Sequence, residues 1–401
     1  MKSENCKKRK ISNFIIILII YLFIFQRYLE TRITLFKYFD EMVAICGMLV
    51  LVINVAKKKF YVNKHLLKIF IGLSIITSLG LFANIKYKYQ KPIYAIVDWL
   101  LVMKFFCAYY LGYDLSCKIE IDKKQSNVID RSLKMIVVFF LICTILNYAF
   151  KIWPNSSYRF GIMSNQIFYG HPTNLAAACI LILALRIMIA NKIIDKYNII
   201  IIFISLTTLR AKAIGAVLIT IVLMLYMKNS NKKISLGKII LICIIALIIG
   251  FDQISYYYVN MKNSARNMLT KVSFEIANEY FPTGTGFGTY GSAESGGTDS
   301  YSAVYYMYGL NNIWGLGYGK TFFLSDTFWP TIIGEFGHIG CIVYIILLVL
   351  IFKRIQNGYD EKKKNIYISK LICLVYLLIS STSESAFFHP MAVPLAIILG
   401  I

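Results

Sequence analysis

Long apolar stretches separated by short polar segments make up most of this 401-residue chain. An apolar stretch of about 17 to 25 residues forms a helix long enough to cross the ~30 Å hydrocarbon core of a bilayer. The pattern predicts about twelve such spans, several of them short. They lie at 12–26, 38–56, 66–84, 92–112, 133–150, 173–190, 197–209, 211–227, 239–251, 330–352, 366–380 and 390–401. The sequence therefore predicts an all-α, polytopic membrane protein that forms a single integral membrane domain over 1–401.

Two of the apolar stretches have unusual boundaries. The stretch 197–227 is too long for one crossing and is interrupted by two charges in Thr207-Thr-Leu-Arg-Ala-Lys, so we predict two helices joined by a tight turn. The first apolar run ends at Phe25, and Gln26-Arg-Tyr offers no small-residue cleavage site after it. This favours a retained first span over a signal peptide.

The largest break in the apolar pattern is a polar segment, predicted as one loop over 252–329. Four apolar residues recur at four-residue spacing between 264 and 280, namely Met268, Val272, Ile276 and Tyr280. This spacing, followed by Pro282, predicts an amphipathic helix over 264–280 that lies along the membrane surface. Six glycines between Gly284 and Gly297 predict irregular backbone after it.

Composition supports a membrane protein and excludes several other classes. The chain is 58% hydrophobic and 16% charged, with a mean hydropathy of +0.63, whereas soluble proteins are about 25% charged. The net charge of +23 lies in short runs between apolar segments, which does not indicate a nucleic-acid surface. The nine cysteines and four histidines form no metal-binding or disulfide pattern. We therefore predict no metal site and no cofactor.

The distribution of Lys and Arg predicts the orientation. With the N-terminus inside, the inward segments carry about twice as many Lys and Arg as the outward ones, although the outward side includes the longest loop. Both termini are then cytoplasmic. The segments 151–172 and 252–329 become extracytoplasmic loops.

Three arginines at the predicted outer boundary are candidates for phosphate binding. Arg159 lies in the first large outer loop, Arg210 follows the seventh span, and Arg266 lies in the longest loop. A guanidinium forms paired, charge-assisted hydrogen bonds with phosphate oxygens and stays protonated. We expect the three to converge around one pyrophosphate. The alternative is that each reaches separately to the lipid headgroups.

Ionisable residues inside predicted spans are candidates for function because burying them in lipid is costly. Glu335 and His338 share one helix face, and Asp326 precedes them. Either Asp326 or Glu335 could serve as a general base. Either could instead form an ion pair, with Arg266 or Arg210, that positions the loop. Asp98 and Lys104 are six residues apart, which argues against a local pair, and the sequence suggests no role for them.

The outer loop is rich in aromatic residues. Those near 256 and 329 are predicted to form an interfacial belt. Tyr290 and Trp314, in the middle of the loop, are better candidates for stacking on a sugar ring. His171 and His338 are further candidates for contacts with sugar hydroxyl groups.

Several motifs resemble those of the Wzy-type O-antigen and capsular polysaccharide polymerases, in a superfamily that also contains the O-antigen ligases. Arg159-Phe-Gly-Ile followed by His171-Pro-Thr-Asn is similar to the family's central outer loop. Thr207-Thr-Leu-Arg-Ala-Lys is similar to its turn, with Leu209 where serine is usual. Arg266 with Phe281-Pro-Thr-Gly-Thr-Gly, and Ser325-Asp-Thr-Phe-Trp-Pro with Gly334-Glu-Phe-Gly-His, resemble the ends of its large loop. Two departures are an alanine at position 277, where the spacing from Arg266 predicts glycine, and Asp326 where ligases have histidine.

The resemblance implies a GT-C-like architecture in a bacterial cytoplasmic membrane and a metal-independent glycosyltransferase acting outside the cell. The implied substrates are repeat units linked to undecaprenyl pyrophosphate. Arg159, Arg210 and Arg266 would hold the pyrophosphate and stabilise the charge that develops on it, with Arg266 also a catalytic candidate. Asp326 or Glu335 would accept the proton of the acceptor hydroxyl. Implied partners are membrane lipid and the flippase and chain-length regulator of the same pathway.

Three other functions stay open at this point. A ligase would transfer finished glycan to another acceptor, but Asp326 in place of the ligase histidine favours a polymerase. A transporter or flippase of lipid-linked sugars usually has repeated halves and polar residues near the membrane midplane. A non-enzymatic scaffold is the remaining alternative.

Overall fold

The computed structural model describes residues 10–57, 64–155, 157–159, 161–190, 192–230, 232–235, 237 and 264–401. In these ranges the chain is mostly α-helical. Among the described residues before position 231, eight helices occur: α1 Asn13–Glu30, α2 Phe39–Ala56, α3 Lys64–Tyr87, α4 Pro92–Lys118, α5 Lys123–Phe150, α6 Pro172–Ala190, α7 Lys196–Thr207 and α8 Ala211–Asn229. Two described helices lie within the longest loop, α9 Ala265–Glu279 and α10 Ala303–Met307, and three follow it, α11 Trp329–Asn357, α12 Lys364–Ser380 and α13 Ala392–Gly400. Short 3₁₀ turns occur at Thr34–Tyr38, Ile167–Tyr169, Ala293–Ser295, Leu310–Asn312, Leu324–Asp326 and Glu361–Lys363.

Eight helices in the described ranges are long and apolar enough to cross a membrane: α1 to α6, α8 and α11. The prediction of about twelve spans is therefore met only in part. The helices found at three of the other predicted spans are short: α7, α12 and α13 have 12, 17 and 9 residues. The span predicted at 239–251 lies outside the described residues. A two-stranded hairpin, β1 Tyr158–Arg159 with β2 Ile162–Met163, was not predicted.

The centre of the bundle is formed by α4 and α6, which are the most completely buried of the eight. Helix α4 packs on α2 and α13, and α6 packs on α5, α7 and α12. Glycines bring α4 and α13 into backbone contact: a Cβ at Gly112 would lie 2.1 Å from the Ile397 carbonyl oxygen, and one at Gly400 would lie 2.1 Å from that of Tyr109. Small residues allow such approach where hydrophobicity alone does not drive association.

The break predicted within 197–227 is confirmed. Helix α7 ends at Thr207 and α8 begins at Ala211. Between them Leu209 adopts a left-handed conformation, with φ of 53°. The reversal places Arg210 and Lys212 at the end of the helix pair, where the predicted outer boundary lies.

The predicted amphipathic helix is present as α9, capped by the Ser264 hydroxyl, which accepts from the Asn267 amide. Its position differs from the prediction. Val272 and Ile276 are buried in a small core with loop residues such as Tyr290 and Tyr305, and α9 packs along α11. The apolar stripe therefore packs on protein, and the expectation that this stripe contacts lipid is wrong. The aromatic and aliphatic side chains of the loop supply the apolar partner that the sequence pattern attributed to lipid.

The glycine-rich segment after α9 has irregular backbone, as predicted, and it inserts into the helical bundle. Helix α11 is broken at Gly337, whose φ of 65° and ψ of −171° are not helical. The break frees two helix carbonyls, and the Gly334 and Glu335 oxygens accept from the Thr285 and Gly286 amides at 3.0 and 2.9 Å. The kink therefore gives hydrogen-bond partners to two backbone carbonyls of α11 and to two backbone N–H groups of the glycine-rich segment.

Polar side chains from α3 and the start of α4 hold the same segment. The Asn84 amide group donates to the Phe287 carbonyl at 3.0 Å and accepts from the Phe287 N–H at 2.8 Å. Gln90 donates to the carbonyls of Gly288 and Ser300, both at 2.7 Å. The Phe287 ring packs against Gly80, where a Cβ would lie 2.3 Å from the ring. The loop is therefore an integral part of the bundle.

We predict that Gly284→Ala destabilises the protein more than Gly319→Ala. Both glycines have φ near +70°, so both substitutions strain the backbone. At Gly284, however, a Cβ would lie 2.6 Å from the Gly334 carbonyl oxygen, whereas nothing lies within 4 Å of one at Gly319. We expect a difference of about 1 to 3 kcal/mol, measured as a lower thermal unfolding midpoint in detergent. Equal midpoints would contradict this docking of the loop.

Candidate functional site

A cavity of about 910 Å³ opens at the end of the bundle that was predicted to face outward. Its polar wall comes from predicted outer segments, with Arg27, Glu30, Lys37, His171, Glu294, Asp326, Glu384 and His389 among its lining residues. Its other wall is apolar and belongs to α2 and α4, with Ala44, Ile45, Met48, Val97, Leu100, Leu101 and Met103. The cavity therefore combines a charged wall with an apolar one.

Asp326 and Arg266 form an ion pair beside the cavity. An Arg266 Nη atom donates to the Asp326 carboxylate at 3.0 Å and to the Ser383 carbonyl at 3.4 Å. Asp326 is half-buried and lines the cavity, whereas Arg266 lies behind it. Burial raises the pKa of Asp326 above its ordinary value, although the charge and hydrogen bond of Arg266 oppose this effect. A carboxylate with a raised pKa is a better proton acceptor than an ordinary one.

A second ion pair joins Lys212, on the first turn of α8, to Glu384, in the segment between α12 and α13. Glu384 lines the cavity. Lys212 also lies within electrostatic range of Arg266 and Asp326. The two ion pairs thus form one cluster, to which the segment 380–389 contributes as much as the predicted loop.

The other two predicted arginines lie together at the α7–α8 turn. Arg159, on the hairpin, donates to the Leu209 carbonyl at 3.3 Å, and Arg210 donates to the Ser157 hydroxyl at 3.5 Å. In the described part of the chain, neither they nor Arg266 line the cavity directly. The structure therefore brings Arg159 and Arg210 together at the α7–α8 turn, whereas Arg266 pairs with Asp326.

Two histidines present N–H donors at the cavity. His171 lies at its rim, where loss of water around the ring, together with the charges of Arg210 and Lys212, lowers its pKa to about 4. Burial likewise lowers the pKa of His389 well below the ordinary value. In each ring Nδ1 accepts a backbone N–H, from Thr173 at 3.3 Å and from Met391 at 3.2 Å. In each ring the hydrogen bond accepted at Nδ1 leaves Nε2 as the nitrogen that carries the proton.

Lys104 lies deeper in the same cavity and is paired across helices. Its ammonium donates to the carboxylates of Asp40 at 2.6 Å and Glu41 at 3.3 Å, and Gln26 donates to Asp40 at 2.7 Å. Lys104 and Asp40 are almost completely buried. Sequence spacing on α4 alone could not find this pair because the partners are on α2.

Glu335 and Asp98 are buried together away from the cavity and bind the glycine-rich segment. Glu335 accepts from the Tyr290 N–H at 3.3 Å, and Asp98 accepts from the Gly288 N–H at 3.0 Å. Glu335 is fully buried and does not line the cavity. This geometry suits a positioning residue better than the predicted general base.

The predicted sugar-stacking residues are not gathered at the cavity. Tyr290 is fully buried, with its hydroxyl donating to the Leu269 carbonyl at 2.6 Å and its ring stacked on Tyr305, so its faces are not accessible. The reason is that α9 and the loop form their own core around it. Trp314 is 76% exposed and packs on Phe323. His338 forms a 2.8 Å hydrogen bond with Asn278 on α9.

An apolar pocket of about 440 Å³ extends the cavity between α2, α3 and α4. It shares Met48, Met103 and Cys107 with the cavity, and most of its other lining side chains are aliphatic or aromatic. The cavity and this neighbouring pocket together offer a charged region and an adjacent apolar region. This shape suits an amphiphilic ligand with a charged head and a hydrocarbon tail.

Sequence reasoning missed Arg27, Lys212, Glu384 and His389. One feature of the sequence could have identified Glu384: it belongs to the polar run Ser380-Ser-Thr-Ser-Glu-Ser, which stands between two apolar stretches. Neither a scan against protein-family models nor a search of curated proteins found a match to the chain.

Proposed function

We propose that this protein is an extracytoplasmic polysaccharide polymerase that joins repeat units carried on undecaprenyl pyrophosphate. The observation that carries the proposal is the cavity itself. Cations and N–H donors surround its polar wall, Asp326 lies at its edge, and an apolar pocket continues from it. A lipid-linked sugar has the matching order of parts: a sugar, a diphosphate and a hydrocarbon chain.

In the proposed reaction a hydroxyl group of the incoming repeat attacks the anomeric carbon of the growing chain. The carbon–oxygen bond to the diphosphate breaks, and lipid pyrophosphate leaves with the electron pair. Asp326 accepts the hydroxyl proton. We assign Asp326 rather than Glu335 because Asp326 lines the cavity and its pKa is raised, whereas Glu335 is committed to the Tyr290 N–H.

The departing diphosphate gains negative charge as its bond breaks, and the cationic cluster is suited to stabilise it. Arg266 and Lys212 are already balanced by Asp326 and Glu384. A diphosphate that replaces these carboxylates as the partner of the two cations leaves Asp326 without the guanidinium that lowers its pKa, which makes Asp326 a stronger proton acceptor. Arg159 and Arg210 extend the same positive region, and His171 adds a neutral donor. Arg266 is the arginine that we place closest to the chemistry.

The proposed location is a bacterial cytoplasmic membrane with both termini inside. The proposed partners are the lipid-linked oligosaccharide, membrane lipid, and the flippase and chain-length regulator of the same pathway. They follow from the substrate, since a repeat unit built inside the cell has to be moved outward before it is joined.

One observation favours a second candidate, a transporter of lipid-linked sugars. Lys104 is the thirteenth of the 27 residues of α4, so the Lys104–Asp40 pair lies near the middle of a candidate span. Buried charges at that depth are common in transporters. A flipping assay in sealed vesicles separates the two functions, because a polymerase lengthens lipid-linked glycan without moving it across the bilayer.

We predict that Asp326→Asn reduces polymerisation by about 10²- to 10⁴-fold because it removes the proton acceptor. The measurement is glycan chain length formed by purified protein from a defined lipid-linked repeat. Binding of the lipid carrier is expected to persist. The matched control is Asp299→Asn, an exposed carboxylate of the same loop, which we expect to behave as wild type. Normal chain growth by Asp326→Asn would remove Asp326 from the mechanism.

A second prediction concerns the arginines. Arg266→Gln and Arg159→Gln are each expected to leave single, unpolymerised repeats in cells while the protein level stays unchanged, because charge opposite the leaving diphosphate is lost. Lys320→Gln removes an exposed cation from the same loop and serves as the control. Wild-type glycan ladders in both arginine variants would be incompatible with a role for this cluster in binding the diphosphate.

The pH dependence of the reaction provides a third prediction. The base works only when deprotonated, so activity falls as the pH drops through the raised pKa of Asp326. Arg266 lowers that pKa, so Arg266→Gln raises it further and moves the acid limb of the residual activity to higher pH. Activity measured against pH for the wild type and for Arg266→Gln checks the direction of the shift. An unchanged acid limb would show that another group is titrating.

A further inference from the structure

A second pocket, of about 340 Å³, lies at the opposite end of the bundle from the cavity. It is formed by the first turns of α3 and the last turns of α11. Its lining residues are Lys64, His65, Lys68, Leu350, Lys353, Arg354 and Asn357. Asp326 immediately precedes the other end of α11, which is 29 residues long. The pocket is therefore about 35 to 40 Å from the proposed site.

The pocket has a concentrated positive charge that no described acidic side chain balances. Lys64, Lys68, Lys353 and Arg354 line it, and no Asp or Glu of the described chain is among its lining residues. The first turn of α3 contains no acidic residue. A helix N-terminus itself carries a partial positive charge and normally attracts anions. The C-terminal end of α11 carries a partial negative charge that offsets only part of the charge of the four cations, and a bound anion would relieve the remaining repulsion.

Arg354 is held rigidly in this pocket. Its guanidinium donates to the Tyr109 hydroxyl at 2.8 Å and to the Gly400 carbonyl at 3.2 Å, and it lies 4.5 Å from the centre of the Tyr113 ring. His65 also hydrogen-bonds to the Tyr109 hydroxyl, at 3.1 Å. A guanidinium has five N–H donors, so these bonds fix its plane and leave others for a ligand. A fixed donor binds an anion with little further loss of entropy.

The chemistry of the pocket indicates phosphate. Several cations around one small volume, with one planar guanidinium and the Asn357 amide beside them, suit an anion with several oxygen acceptors. Outside the pocket, α3 and α11 expose Leu67, Ile71, Ile346 and Val349, which continue along their surfaces toward the apolar zone. The pocket therefore lies at the boundary between charged and lipid-facing surface, where phospholipid headgroups are found.

We propose that this pocket binds a phosphate ester, either the headgroup of an anionic phospholipid or a soluble phosphate compound. The site is distinct from the cavity and does not depend on the proposed polymerase activity. Its occupant would connect the ends of α3 and α11. These are the two helices that hold the glycine-rich segment through Asn84 and Glu335.

The test uses the full-length purified protein in zwitterionic nanodiscs and measures thermal unfolding and native mass spectra. Phosphatidylglycerol, phosphatidylcholine, glycerol phosphate and inorganic phosphate are compared as ligands. We expect phosphatidylglycerol or a soluble phosphate to raise the unfolding midpoint by several degrees, and phosphatidylcholine to have no such effect. Protection by phosphatidylglycerol alone identifies a lipid headgroup, whereas equal protection by glycerol phosphate identifies a soluble ester.

The variant for this test is Lys68→Gln with Lys353→Gln, because both side chains are exposed and their replacement should not disturb folding. At about 1 kcal/mol per lysine, the double variant is expected to bind the anion about 30-fold more weakly. The matched control, Lys86→Gln with Lys88→Gln, removes two exposed lysines at the other end of α3 and should bind as the wild type does. The proposal is overturned if no anion binds, if phosphatidylcholine protects equally, or if the double variant keeps full affinity.

Discussion

The insertion of the glycine-rich segment into the helical bundle is the constraint on which the rest of the structure depends. The segment has few apolar side chains, so hydrogen bonds and close packing fix its place. The Gly337 kink exposes two helix carbonyls to it, Asn84 binds both polar groups of the Phe287 backbone, and the Asp98–Glu335 pair binds two more N–H groups. Each of these groups would be costly to bury alone. Because they satisfy one another, a polar loop can enter an apolar bundle.

The cavity follows from this insertion. With its first part anchored inside the bundle, the loop returns along the helices and places Asp326 beside Arg266 at the start of α11. The α7–α8 turn and the segment between α12 and α13 then complete the wall with Lys212 and Glu384. Charges in this region occur as neighbours of opposite sign, which keeps the cost of burying them low. Such a wall can exchange an internal carboxylate for a ligand phosphate.

The sequence predicted the elements of the fold better than their contacts. Hydrophobic runs located the long helices, the charges at 210 and 212 located a turn, and four-residue spacing located α9. The same spacing could not say whether the apolar face of α9 meets lipid or protein, because both are apolar. Lys104 was unexplained since its partners are on another helix, and Glu335 was a candidate base since burial cannot be read from composition. Arg266 was predicted to bind phosphate and Asp326 to act as a general base, and the two were also predicted as a possible ion pair. Each could be predicted because it is a charged residue that stands out from its own segment of the sequence.

The kink at Gly337 divides α11 into two unequal rods. The shorter rod, Trp329 to Phe336, is bonded to the glycine-rich segment and follows Asp326, whereas the longer rod packs along α3. Because a helix transmits bending only where its hydrogen-bond ladder is continuous, the two rods are mechanically uncoupled at the glycine. The shorter rod is therefore positioned by the loop, which is itself bonded to α3 and α4 through Asn84 and Asp98, rather than by the rest of α11.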